Sequence, residues 1–192
     1  MKKIDEKHEK FIQQLFSHDL KAMHHAQAKI QQILSQLFGV LEEVEEFGII
    51  PYFIDFIVSF GEKLSCSLLD LYLKIEGYQS YIFEGEEFLI TNNEFNNALP
   101  DLSHTTHRIK QNIIPLYSVS NGQRNPTIIC VTGFIGRNKI GYTTTLGRGG
   151  SDFTATIIAR CLFDINPELV DEVILWKDVD GILLGDPAHL HN

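Results

Sequence analysis

The sequence predicts an α/β fold, a three-layer αβα sandwich built on a mainly parallel sheet. Short β-rich runs alternate with helical stretches through the last third of the chain, the pattern of parallel strands joined by crossover helices. Apolar residues recur at helical spacing in the first third, so helices are available to cover the sheet. A chain of 192 residues that is 44% hydrophobic and 21% charged is long enough and apolar enough for one substantial core.

The elements follow in order. Residues 7–16 form a first helix, and Ser17 or Asp19 is available to cap the next. Ile30, Ile33, Leu34, Leu37, Leu41 and Val44 mark an amphipathic helix over 30–44. A third helix, 55–74, gathers Phe56, Phe60, Leu64, Leu68, Leu71 and Tyr72 near one face, leaves Ser59, Glu62 and Lys63 off it, and ends at Gly77. A strand over 79–83 precedes a polar stretch at 92–97, a helix over 103–114 leads to Pro115, and 121–126 is a turn by composition. The last third reads strand 127–131, a loop over 133–150 holding six glycines, helix 151–163 and strand 172–176. In sheets of this kind ligands gather beyond the C-terminal strand ends.

Charge and cysteine usage narrow the function. Twenty-five acidic residues against 16 basic ones give a net charge of -9, which argues against a grip on nucleic acid or anionic lipid. An anionic ligand must then be met by local donors. The three cysteines, Cys66, Cys130 and Cys161, stand far apart among apolar residues and read as buried thiols of a reducing compartment. No apolar leader follows Met1, and the greasiest segment, 47–60, is interrupted by Pro51 and Asp55, too short to span a bilayer. A soluble cytoplasmic protein is expected. His104 and His107 have a spacing that can suit a metal, but no further ligand stands near in sequence, and no metal-ligating set is assigned.

The most informative segment is Thr143-Thr144-Thr145-Leu146-Gly147-Arg148-Gly149-Gly150-Ser151-Asp152. Three glycines beside an arginine let the backbone approach an anion, and Ser151 is placed to cap a helix whose first amides face the same spot. The run is not a P-loop, and Asp152 stands where a dinucleotide fingerprint has its last glycine. Taken alone, such a cluster is more simply a surface loop before a helix. Three other segments keep it company: Ser59-Phe60-Gly61-Glu62-Lys63-Leu64-Ser65, Val131-Thr132-Gly133-Phe134-Ile135-Gly136, and Trp176-Lys177-Asp178-Val179-Asp180-Gly181-Ile182.

These four segments, in this order, resemble the aspartate kinases of the amino acid kinase superfamily. The resemblance covers residues 50–187 and implies an amino acid kinase, carbamate kinase-like fold, incomplete here: a helical portion over 1–50, a substrate side over 51–125 and a glycine-loop and nucleotide side over 126–192, without a regulatory ACT domain. It implies phosphorylation of the side chain of L-aspartate by ATP with Mg2+, opening lysine, threonine and methionine synthesis. Arg148 would hold a substrate carboxylate, Glu62 the substrate ammonium group, and Gly149, Gly150 and Ser151 would add backbone and hydroxyl contacts. Asp152, with Arg148, would organise the phosphoryl-transfer site. Lys177, Asp178 and Leu183 would bind the nucleotide; a plain turn, Asp-Val-Asp-Gly, is the lesser alternative for Asp178 and Asp180.

Two departures accompany the resemblance. No Lys-Phe-Gly-Gly-Thr-Ser-Val segment, whose lysine meets the transferred phosphate in the family, occurs in the sequence, and Ala188 stands where an arginine is usual. The expectation is a partial kinase domain, weak or inactive alone, that forms a homo-oligomer or associates with missing kinase segments. A kinase of glutamate, N-acetylglutamate or UMP, and a noncatalytic nucleotide- or effector-binding partner, are the alternatives.

Overall fold

Local sequence sets where the helices begin and end. The computed structural model describes residues 2–119 and 127–176. Helix α1, Lys2–Leu15, turns at residues 16–19 into α2, Leu20–Phe47. Of the two expected caps it is Asp19 that acts, its carboxylate accepting from the amides of Lys21 and Ala22 at 2.9 and 3.0 Å. Helix α3, Pro51–Ile75, starts four residues before the expected position 55 because Pro51 supplies a fixed φ and lacks only an N–H that a first turn leaves unpaired anyway. Gly77, at φ 85°, is left-handed where the chain leaves the helix. The periodic apolar stripes of all three helices meet in one cluster built on Phe16, Ile30, Leu34, Phe60 and Leu64.

The opposite side of α3 is not a solvated face. Ser59 is fully buried, and the largely buried Lys63 side chain reaches Glu84 and Glu86, with Nζ 3.0 and 2.8 Å from their carboxylates. These positions lie off the apolar face as expected, and a helix whose second flank is covered by strands buries polar groups there as well, provided they find partners.

That flank faces β1, Gln79–Phe83, and β3, Thr127–Val131, which pair in parallel from Gln79 with Thr127 to Phe83 with Val131. Helices α5, Leu102–Asn112, and α7, Gly150–Ile165, share a second apolar cluster of Leu89, Ile109, Ile157 and Cys161, against which Phe83, Ile129 and Val131 pack. Helix, sheet and helix thus stack as three layers. The expected helix over 103–114 breaks at Ile113, after which α6, Ile114–Val119, takes Pro115 in its first turn.

Four short elements were not legible. Helix α4, Gly85–Phe88, is closed by a capping box between Glu84 and Glu87. Strand β2, Ile90–Thr91, pairs in parallel with β4, Ile135–Asn138, which turns back antiparallel onto β5, Thr143–Thr145. The glycine-rich stretch over 133–150 is therefore not all loop; its hairpin turn is held by the Asn138 side-chain oxygen, which accepts from the amides of Ile140, Gly141 and Tyr142.

Two further expectations are corrected. Residues 172–176 form no strand: they are exposed, and no strand lies beside them among the described residues. Ser151 does not cap α7; the cap position is Gly149, left-handed at φ 75°. The turn expected at 121–126 lies outside the described residues. The three cysteines are buried and unpaired, and burial pushes the thiol of Cys66 up to about 12. Among the described residues no helix is long and apolar enough to cross a membrane.

Candidate active site

Where β5 runs out, Gly147 and Gly149 take left-handed φ values of 78° and 75°, bending the chain into the first turn of α7. Gly150 lies so close to Phe134 that an added Cβ would come within 2.7 Å of its ring. The result is a cavity of about 400 Å3 lined by Glu62, Phe134, Arg148, the glycines, Ser151 and Asp152. Every residue assigned to substrate or catalysis from the sequence, Glu62, Arg148, Gly149, Gly150, Ser151 and Asp152, borders this one space. Lys177, Asp178 and Leu183 lie outside the described residues, as does Ala188.

The charges divide the cavity. Arg148 is exposed at its mouth, with a planar fork suited to a carboxylate or phosphate. Asp152 sits in the first turn of α7, where the helix dipole favours an anionic side chain. Glu62 comes from the middle of α3, half-buried, and burial raises its carboxyl above the usual range. Among the described residues it forms no ion pair, while its neighbour Lys63 is committed to Glu84 and Glu86. A desolvated carboxylate without a cation has the chemistry to accept a positively charged group.

The scaffold holds two features that sequence reasoning missed. Asp55, two turns before Glu62 on α3, is fully buried, and its carboxylate accepts from the amides of Asn96 at 2.9 Å and Thr145 at 2.7 Å. It ties the helix carrying Glu62 to the strand that delivers Arg148. Burial raises its carboxyl, and these hydrogen bonds oppose the rise. Lys63, Glu86 and the Thr143 hydroxyl make a second tie between the same elements. An aspartate interrupting an apolar helix was the available signal for Asp55. The other feature is Phe134, a non-glycine residue at φ 70° whose amide donates to Thr154 Oγ1 at 2.9 Å; such backbone strain gathers at ligand sites. Its segment was singled out, its own place in the wall was not.

His104 and His107 are exposed, His104 pairing with Asp101 at 2.8 Å. Among the described residues no group of three or more His, Cys, Asp or Glu is placed to hold a metal ion.

Comparison with known proteins identifies the family. Aspartokinase 1, chloroplastic, of Arabidopsis thaliana is 38% identical over 136 residues, covering 70% of this chain and 22% of that protein. Lysine-sensitive aspartokinase 3 of Escherichia coli (strain K12) is 32% identical over 159 residues, 83% of this chain and 32% of its own length. The chain thus spans about a quarter to a third of these relatives. The structure of E. coli aspartokinase III in complex with aspartate and ADP superposes with a TM-score of 0.64 at 30% identity, covering 71% of this chain and 29% of that one. The same enzyme in complex with lysine and aspartate gives a TM-score of 0.67 at 29% identity, over 75% and 31%. The model of the amino acid kinase family matches residues 3–191, and the chain belongs to that family.

Proposed function

We propose that this chain supplies the aspartate side of an aspartate kinase catalytic centre, transferring the γ-phosphoryl group of ATP to the β-carboxylate of L-aspartate. The observation that carries the reading is the convergence of Glu62, Arg148, Ser151 and Asp152 on one cavity at the N-terminus of α7. An amino acid needs opposite charges at a fixed separation: Glu62 receives its ammonium group and Arg148 a carboxylate. The first amides of α7 face the remaining negative charge. A substrate oxygen bonds to the γ-phosphorus as the bond from that phosphorus to the β–γ bridging oxygen breaks, leaving ADP and β-aspartyl phosphate. Catalysis of this kind rests on positioning and charge neutralisation.

Bound magnesium would neutralise phosphate charge. It usually meets nucleotides through phosphate oxygens, water and one or two carboxylates. With Glu62 engaged by the ammonium group, Asp152 is the cavity carboxylate suited to it. The nucleotide side is assigned to Lys177, Asp178 and Leu183, so residues 51–125 contribute the substrate side with Glu62, 126–192 contribute both the glycine loop and the nucleotide side, and 1–50 is helical support. The product would enter lysine, threonine and methionine synthesis, in the cytoplasm. A noncatalytic binding subunit is the second reading, favoured by Ala188, which stands where the family usually carries an arginine.

The test is L-aspartate binding by calorimetry beside acyl-phosphate trapping with hydroxylamine, for wild type and Arg148→Ala. Saturable aspartate binding that weakens about tenfold or more in the variant supports the site, since a charged hydrogen-bond partner is lost. Hydroxamate formed by wild type alone makes the chain a working kinase; binding without hydroxamate favours the second reading. Preference for glutamate, N-acetylglutamate or UMP over aspartate would overturn the assignment.

A further inference from the structure

A second concave surface exceeds the glycine-loop cavity in volume. It is a cleft of about 580 Å3 between the outer face of α5 and the β4–β5 hairpin, sharing no lining residue with the candidate active site. Helix spacing puts His104, His107, Arg108 and Gln111 on one face of α5. Opposite them stand Arg137 from β4 and Lys139 from the hairpin turn. On a chain of net charge -9, two arginines, a lysine and two histidines around one concavity are a local reversal of sign.

The acidic partners are few. Asp101 is the carboxylate at this edge, shared between Lys139 Nζ at 3.0 Å and His104 Nδ1 at 2.8 Å. Among the described residues neither Arg108 nor Arg137 has an ion-pair partner. Arg137 is half-buried, opposite Ile90 in the β2–β4 ladder, so its guanidinium is carried by a strand rather than a loose tail. Two planar forks with unspent donors match oxyanions, and the volume falls in the range of small-ligand sites. Among the described residues no Phe, Tyr or Trp lines the cleft, so its recognition chemistry is chiefly that of charged donors.

We infer that this cleft is a second ligand site, binding a compact polyanion with several phosphate or carboxylate groups through Arg108, Arg137 and Lys139. The site needs neither the glycine loop nor aspartate, so it stands apart from the proposed kinase activity.

Pyrophosphate and citrate, titrated separately by calorimetry into the full chain at about physiological ionic strength, test this. One ligand per chain is expected, and the tighter of the two identifies phosphate or carboxylate as the preferred group. Arg108→Gln with Arg137→Gln should weaken it about tenfold or more, because charge-assisted bonds are removed. Arg108 lies on an exposed helix face, so Arg108→Gln alone, with an unchanged thermal melt, carries the test even where Arg137→Gln disturbs β4. Lys110→Gln, one charge removed outside the cleft, and Arg148→Ala should leave binding unchanged. No saturable binding of either anion, equal weakening by Lys110→Gln, or loss in Arg148→Ala overturns the proposal; the last places the anion at the glycine loop.

Discussion

Glu62 stands between solvent and core, with no cation beside it among the described residues and a carboxyl raised by burial. A raised carboxyl means that the folded chain holds the proton more tightly than the unfolded one, so stability falls as pH rises from the ordinary glutamate value, about 4.3, through the folded one. Replacing it by the uncharged isostere removes that penalty. Glu62→Gln is therefore expected to melt at or above the wild-type temperature at about pH 7, with the difference closing on acidification, while L-aspartate affinity drops about tenfold or more through loss of a charged partner. Thermal melts at two pH values and one binding isotherm decide it. A lower melting temperature with unchanged affinity would make Glu62 an ordinary helix residue.

At the scale of elements, α3 is the axis of the site: one side packs α2, the other meets the strands, and Glu62 and Asp55 reach the site and its scaffold from the same helix. Periodicity showed the apolar side, because Phe60, Leu64 and Leu68 repeat at helical spacing. It could not show the polar side, since the partners of Asp55 lie 41 and 90 residues away. The strands β2, β4 and β5, two to four residues long, carry too little alternation to read; Thr143-Thr144-Thr145 was the available hint. Asp55→Asn tests the tie. Oδ2 accepts from both amides and Oδ1 meets the Asn96 amide at 3.0 Å, so the substituted amide either turns its NH2 against that N–H or gives up both bonds at Oδ2, at a cost of about 2 kcal/mol. Urea unfolding should show that loss, together with weaker aspartate binding from displacement of Arg148. Wild-type stability would mean that α3 and β5 are held by apolar packing and the Lys63–Glu86–Thr143 link alone.

For the whole molecule, the layered α/β class was legible because it follows from the order of strands and helices, and strand 79–83 was placed residue for residue. The expected strand at 172–176 was not, since a strand is defined by its neighbour, and composition speaks only of a tendency to pair. Val173, Ile174, Leu175 and Trp176 instead lie in the open, Trp176 88% exposed. Each strand of the β1–β3 pair also keeps one edge without a described neighbour. An exposed apolar run with high β-propensity and unpaired strand edges are each a template for pairing. We therefore expect wild type to self-associate at micromolar concentration, its light-scattering mass rising with dilution reversed, and Ile174→Asp with Trp176→Gln to return it toward the monomer without lowering the melting temperature, since neither side chain supports the core. A wild-type chain that stays monomeric over the whole concentration range would mean that these groups are covered within one chain, and the association proposed for this domain would fall.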